Sequence, residues 1–292
     1  LIGLRGVGVF VADAMMSDRA ARGIISPFSS LAPNPMDLIQ SAQNPLYKLC
    51  HKLAENRRDR LKLGQTLLDG PHLVAAALDA GWPLERILIS QSGLQRPEHQ
   101  ALLARHGKAP ALLDDALFAT LTELPSATGL IALAAIPNAP AVRHAGLCLW
   151  LDGVQDPGNV GAILRTAAAA GVQQVALSLH SADVWSPRVL RAGMGAHFAL
   201  EIVERADLLA AASQFKGRIA ALVLDGAIDL YDSDLRGDVA LVMGAEGQGV
   251  SAELEAAATL RLKIAMQPGI ESLNVGHAAA ICLYERVRQS RV

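Results

Sequence analysis

Three short stretches of this chain put polar residues and glycines at the mouths of helix-like runs, where bare backbone and side chains can meet a ligand. In "LDGVQDPGNVGAILR" an apolar run passes through Asp156, Pro157 and Gly158 into a helix. Asn159 can cap that helix, and Arg165, six residues on, shares roughly its face and can reach back toward the loop. A capped helix with a solvated arginine fits the same residues. In "LVMGAEGQGVS", Gly244, Gly247 and Gly249 surround Glu246, and Ser251 caps a helix start. Such glycine richness costs chain entropy and is tolerated where backbone approaches a ligand closely, a structural turn being the rival reading. No lysine follows, so it is not a phosphate loop, and it is not a dinucleotide fingerprint. In "LRLKIAMQPGIESLNVGHAAAICLYE", Ser272 and Asn274 flank Leu273 at a helix entrance. One cap needs one such residue, so the pair is more than capping demands. His277, in the first turn of an apolar helix, reads as a packing residue rather than an acid or base. Asn-Val-Gly opens both the first and the third helix.

The elements that must position these loops are short apolar runs alternating with helices. The second half reads as "LCLWLDG", a helix over 159–170, "VQQVALSL", a helix near 187–194, "FALEIV", a helix over 206–215, "RIAALVL", "VALVMG", a short helix from Ser251, "LRLKIAM" and a last helix from Asn274. Buried strands alternating with helices imply an α/β fold with a mostly parallel sheet, whose ligands lie at the carboxyl ends of its strands. The first half alternates too, from "QTLLDG" through "PHLVAAALDA", "ERILIS", "PEHQALLARHG", "APALLD" and "DALFATLTEL" to "GLIALAAI". The prolines of "PNAPAVRHAG" separate the halves, which predicts a domain over 44–136, a linker over 137–145 and a second domain over 146–292.

Before the first domain, residues 1–43 contain a Ser-, Asn- and Pro-rich stretch and are expected to be a poorly ordered extension, with regular structure beginning at Pro45. The apolar start is interrupted by Arg5 and Asp13 and lacks a strongly basic leader, and no run reaches the ~18 residues of a membrane span. A soluble cytoplasmic protein without a membrane partner is expected. Composition is that of a globular chain of 292 residues, 51% hydrophobic, with net charge −2. Attraction to nucleic acid must therefore come from a local patch. One helix predicted over "PLYKLCHKLAENRRDRLKLG" supplies it: Leu46, Leu49 and Leu53 form its apolar face, and Lys48, Lys52, Arg57, Arg58, Arg60 and Lys62 cover the remainder. A solvated helix face is the bland alternative. Cys50, Cys148 and Cys282 are dispersed and carry no metal-ligand spacing, so buried thiols and no metal are expected.

In this order and spacing, the three loops resemble the signature motifs of the SpoU (TrmH) family of S-adenosylmethionine-dependent RNA ribose 2′-O-methyltransferases, over about 147–288. The matching residues are Asn159, Gly161 and Arg165, then Gly244, Glu246 and Gly249, then Ser272, Leu273, Asn274 and Val275. Upstream, the basic helix and following strand resemble an L30-like substrate-binding domain. The resemblance implies a SPOUT domain with a deep trefoil knot, which ordinary topology rules would not suggest. It also implies a homodimer with the active site near the subunit interface. Donor binding through Gly244, Ile264, Met266, Leu273 and Gly249 follows, with Arg165, Ser272, Asn274, Glu246 and Asn159 as the catalytic set. Ala265, Gly276 and Gly193 depart from the family's usual residues and suggest a slightly looser donor loop.

The chemistry so implied needs an in-line approach, a more nucleophilic hydroxyl and little water. A guanidinium rarely gives up its proton, so Arg165 suits stabilising a developing alkoxide and clamping phosphate, with proton acceptance left open. RNA rather than DNA follows from the 2′-hydroxyl itself, and the extra domain favours ribosomal over transfer RNA. Two rivals are a non-catalytic RNA-binding or ribosome-assembly factor on this fold, which intact Arg165 and Ser272 argue against, and an α/β oxidoreductase, for which no GxGxxG stands in the chain.

Overall fold

A computed structural model describes residues 37–224 and 227–291. The predicted extension falls mostly outside them, but its end does not: Ile39 is buried, and its N–H and C=O bond Leu112 and Asp114. Ordered structure therefore begins before Pro45, because an edge strand with unpaired N–H and C=O groups accepts the passing chain.

The basic segment is two helices instead of one. Asn56 ends α1 (Pro45–Glu55) and its side chain accepts from Arg58 and Asp59 to cap α2 (Arg57–Leu63), which Gly64 closes at φ 63°. An asparagine side chain competes for backbone donors, so it breaks a helix where charge and periodicity alone predict continuity. There follow β1 (Gln65–Asp69), α3 (Pro71–Asp79), β2 (Leu84–Ser90), α4 (Pro97–His106), β3 (Ala111–Leu113), α5 (Asp115–Ala119) and β4 (Leu130–Ala135). They form a sheet of order β1-β4-β2-β3, antiparallel except for β2 with β3. The helix expected over "DALFATLTEL" stops at Ala119.

The second sheet is built from β5 (Leu147–Asp152), α6 (Pro157–Ala169), β6 (Gln174–Leu177), α7 (Pro187–Gly193), β7 (Glu201–Val203), α8 (Leu208–Gln214), β8 (Arg218–Leu222), β9 (Ile228–Asp229), β10 (Val239–Gly244), α9 (Ala252–Ala257), β11 (Leu260–Lys263) and α10 (Val275–Ser290). Among the described residues its order is β7-β6-β5-β10-β8-β11-β9, parallel throughout. The two-residue β9 is too short to leave a periodic signal. Alternation of side chains along each strand divides the core: Leu149, Leu151, Leu241 and Met243 face the cluster containing Ile163 and Leu283 of α6 and α10, while Cys148, Trp150, Ala240 and Val242 face Leu208 and Leu254 of α8 and α9. Burying each Leu, Ile, Val or Met side chain among them contributes about 1.5–3 kcal/mol.

The segment 137–146 carries no helix or strand, yet it is tied down. Arg143 forms a two-armed pair with Glu201 at 2.7 and 2.8 Å, and the Gln174 side chain donates to the Ala141 carbonyl and accepts from the Arg143 N–H. The arginine's hydrogen bonds hold the Glu201 carboxyl below its usual range.

The two sheets share one core. Trp82 of the first unit lies with its ring 5.0 Å from Phe198 and 6.4 Å from Trp185. Around these rings Thr66 donates to the Trp185 carbonyl at 2.6 Å, Arg191 pairs with Asp69 at 3.2 Å, Arg57 with Glu204 at 3.1 Å and Arg60 with Asp183 at 2.5 Å. Arg60 is 4% exposed and also donates to the carbonyls of Leu53 and Ala54. Every partner on the second unit falls in the stretch 181–204, which therefore anchors the two sheets to each other. His197, wholly buried there, gives Nε2 to the Val184 carbonyl, and burial pushes its imidazole down to about 4.

Candidate active site

Strands β5, β10 and β11 end on the same edge of the parallel sheet, and the three loops that follow them converge there. α6 begins at Asp156, whose side chain accepts from the Asn159 N–H at 2.8 Å; Pro157 opens the first turn. The cap is thus Asp156, not Asn159 as the sequence suggested, and an Asp-Pro pair at a helix start is the signal that could have found it. Ser251 stands at the start of α9 but makes no side-chain cap; its N–H donates to Asp152 at 2.9 Å.

Freed from capping, Asn159 links the loops. Its Nδ2 donates to Glu246 Oε1 at 2.7 Å, and its Oδ1 accepts from Asn274 Nδ2 at 2.9 Å. Asn274 in turn caps α10, its Oδ1 accepting from the N–H groups of Gly276 and His277 at 2.9 and 3.3 Å. Both ends of this relay are directional. A helix N–H can only donate and a carboxylate can only accept, so one orientation of each amide satisfies all three side chains. Glu246 also accepts from the Gln155 N–H through Oε2 at 3.3 Å. The two Asn-Val-Gly entrances therefore meet within one chain, through their asparagines.

Glycines set how closely the loops approach. A Cβ on Gly161 would lie 2.3 Å from Ala192 Cβ and 2.8 Å from Gly193 N, so only glycine lets α6 press against α7. A Cβ on Gly244 would lie 2.0 Å from the Gly249 carbonyl carbon; the Ala245 and Gly249 main chains exchange two 2.9 Å hydrogen bonds that close the loop around Glu246. Gly244 thus already serves the chain's own closure.

Arg165 is exposed on α6 and forms no hydrogen bond or ion pair with another described residue. Ser272, Leu273 and Asn274 are exposed before α10, with Leu273 at 38%. Ile264 and Met266 are half-buried after β11. From Ala265 to Leu273 the main-chain hydrogen bond among the described residues is that from the Ile270 N–H to Gln267. This run of free N–H and C=O groups beside a glycine loop suits a small ligand recognised through backbone, as a nucleoside-bearing methyl donor would be.

Of the predicted RNA contacts, Lys48, Lys52, Arg58 and Lys62 are exposed, whereas Arg57 and Arg60 are engaged in pairs across the two sheets. The sequence carries no mark of that division, because it depends on carboxylates more than a hundred residues away.

A parallel sheet with polar loops at its strand ends and a second small α/β unit docked alongside defines a ligand-binding enzyme architecture with an accessory domain. Residues 146–284 match the SpoU rRNA Methylase family, and residues 44–132 match the MRM3-like substrate binding domain. The chain is 31% identical over 252 residues to the 23S rRNA (guanosine(2553)-2′-O)-methyltransferase RlmP of Bacillus subtilis, covering 85% of this chain and 98% of that one. It is 27% identical over 262 residues to the 23S rRNA (uridine(2479)-2′-O)-methyltransferase of Streptomyces viridochromogenes, covering 85% and 91%. The crystal structure of the SpoU methyltransferase AviRb from the same organism, in complex with the cofactor AdoMet, superposes with a TM-score of 0.77 at 26% identity, covering 85% of this chain and 99% of that one. The chain belongs to the SpoU family, and it is an RNA methyltransferase that uses S-adenosylmethionine.

Proposed function

We propose that this enzyme methylates a ribose 2′-hydroxyl of ribosomal RNA. The observation that carries the reading is the Glu246–Asn159–Asn274 relay, which joins the three strand-end loops through two oriented amides, one of them two residues after Ser272. Support for ribosomal RNA comes from relatives named for a guanosine and a uridine of 23S rRNA. Those names share the 2′-oxygen and differ in the base, so the common chemistry lies at the ribose.

When bound, the donor supplies a methyl group on a sulfonium centre. This chain's residues do the rest. Gly244, Gly249, Ile264, Met266 and Leu273 hold the donor, chiefly through main chain. Ser272 and Asn274 orient the ribose hydroxyl, and Arg165, without a partner among the described residues, stabilises negative charge on the oxygen and steadies the adjacent phosphate. Such positioning can contribute ~7–11 kcal/mol of barrier lowering.

The exposed Lys48, Lys52, Arg58 and Lys62 grip phosphates at a distance from the site. Domains at 44–136 and 146–292 belong to this proposal, as do a trefoil knot formed by the segments around β10, β11 and α10, a homodimer and a cytoplasmic place of action. Pairing along the later turns of α6 and α10, where Tyr284 is 51% exposed, would leave the site at the interface rim.

Incubation with methyl-labelled donor and either unmodified large-subunit rRNA or tRNA transcripts tests the assignment. Alkali-resistant label is expected in the rRNA at one mapped ribose. Label in tRNA alone would overturn it.

A further inference from the structure

We infer that Arg188 and Arg191 of α7 form a phosphate site for the substrate RNA where the two sheets meet, filled by the Glu123 carboxylate until RNA displaces it. The inference rests on the ribosomal assignment above for its choice of probe. Both arginines reach for the same atom: Arg188 Nε and Arg191 Nη2 each lie 3.5 Å from Glu123 Oε2. Charge-assisted hydrogen bonds close to about 2.7–2.9 Å, so neither contact is fully made. The side chains of Glu123 and Arg188 are both 63% exposed, and ion pairs held so openly are weak. Glu123 offers one oxygen to two guanidiniums. A phosphodiester has two unesterified oxygens and gives each arginine its own.

The inner half of this site is built. Asp69, with a side chain 2% exposed at the end of β1, accepts from Thr122 Oγ1 at 2.5 Å, Thr128 Oγ1 at 3.0 Å and Arg191 Nη1 at 3.2 Å. The threonines fasten the segment 122–128 of the first unit to the end of its own sheet. The third bond turns the Arg191 guanidinium, with Nη1 inward on Asp69 and Nη2 outward toward Glu123. One face of an arginine fork is thus spent on orientation and the other is left for a ligand. Arg188, three residues earlier, shares that face of α7. Arg96 brings a third cation to the same segment, giving Nη1 to the Thr128 carbonyl at 3.3 Å, and it has no carboxylate partner among the described residues. The arginines therefore outnumber the carboxylates of Asp69 and Glu123, and Asp69 is shielded by its own donors.

The position suits an RNA that touches both units. The loop leading into α7 is bonded to the loop after β5: the Gly153 N–H donates to Ser178 Oγ at 2.9 Å, the Ala182 N–H to the Val154 carbonyl at 2.9 Å and Ser181 Oγ to the Leu151 carbonyl at 3.0 Å. Ala192 and Gly193 of α7 press on Gly161 of α6, two residues past Asn159. Glu123, from the substrate-binding unit, thus meets the helix packed against the one that carries Asn159 and Arg165. A phosphate held here registers the RNA backbone on both units at once and reads no base.

The test is equilibrium binding of an unmodified large-subunit rRNA transcript across a salt series by wild type, Glu123→Gln, Arg188→Gln and the double variant. Thermal unfolding and calorimetric titration with S-adenosylmethionine accompany each protein. Glu123→Gln should bind RNA about 2- to 5-fold tighter, because an exposed ion pair no longer competes. Arg188→Gln should bind about tenfold more weakly and lower the slope of log K against log salt by about 0.7–0.9. The gain from Glu123→Gln should be smaller in the Arg188→Gln background, while unfolding and donor affinity stay at wild-type values throughout. A purely structural Glu123 would produce no gain. Unchanged or weaker RNA binding by Glu123→Gln, an unchanged salt slope in Arg188→Gln, or an equal gain with and without Arg188 would each overturn the inference. Methyl label in tRNA alone would instead sink the ribosomal reading, and the same four proteins are then compared on the tRNA transcript.

Discussion

Arg60 and Arg165 are the same residue type held on opposite terms, and the regions around them differ in the same way. At the seam between the two sheets, polar groups find partners inside the chain: Arg60 meets Asp183 and two carbonyls, Arg57 meets Glu204, Thr66 meets the Trp185 carbonyl and Arg191 meets Asp69. At the strand-end site, Arg165, Ser272 and the main chain of 265–273 are left open, while one internal relay orients the two asparagines between them. Partnered polar groups set geometry, and exposed ones stay accessible to solvent. The relay belongs to both regimes, since it uses internal bonds to aim groups outward.

The seam should break first and hardest under mutation. Arg60→Ala leaves Asp183 desolvated and unpaired and should cost about 3–5 kcal/mol in denaturant unfolding. A loss under 1 kcal/mol would mean that the pair is not the buried anchor described. Arg165→Lys should do the reverse, leaving stability within about 0.5 kcal/mol while slowing methyl transfer about 10²- to 10³-fold, because an ammonium lacks the planar fork that meets phosphate and oxyanion together. Full activity in Arg165→Lys would reduce the contrast to a matter of charge alone. The smallest effect belongs to the exposed basic face. Lys62→Ala should weaken RNA binding to a similar degree for every sequence and lower the slope of log K against log salt by about 0.7–0.9, and an unchanged slope would remove Lys62 from the phosphate-contacting set.

These contrasts also explain which parts could be read from the chain. The parallel architecture was legible in apolar runs such as "LCLWLDG" and "VALVMG", because strands buried on both faces must be apolar throughout. The three loops stood out because glycines and paired polar residues exceed what capping and turning need. The break at Asn56 and the cap at Asp156 were local enough to be found, yet each was outweighed by a stronger neighbouring pattern, the run of basic residues in one case and the conspicuous Asn159 in the other. His277, exposed in the first turn of α10, was misplaced for the opposite reason: the apolar helix around it says nothing about which angular position faces out.

By itself, then, the sequence determined the alternation of elements, the residues available for chemistry and the family they resemble, since all of these rest on periodicity, composition and spacing along the chain. Tertiary structure alone decided that Arg57 and Arg60 bind carboxylates of the other sheet, that Asn159 and Asn274 touch, that Gly244 is required by Gly249, and that His277 is exposed beside the relay. Each of these depends on a partner or a packing surface distant in sequence. A side chain's role there depends on which neighbour claims its hydrogen bonds, and that is settled only once the sheets have closed on each other.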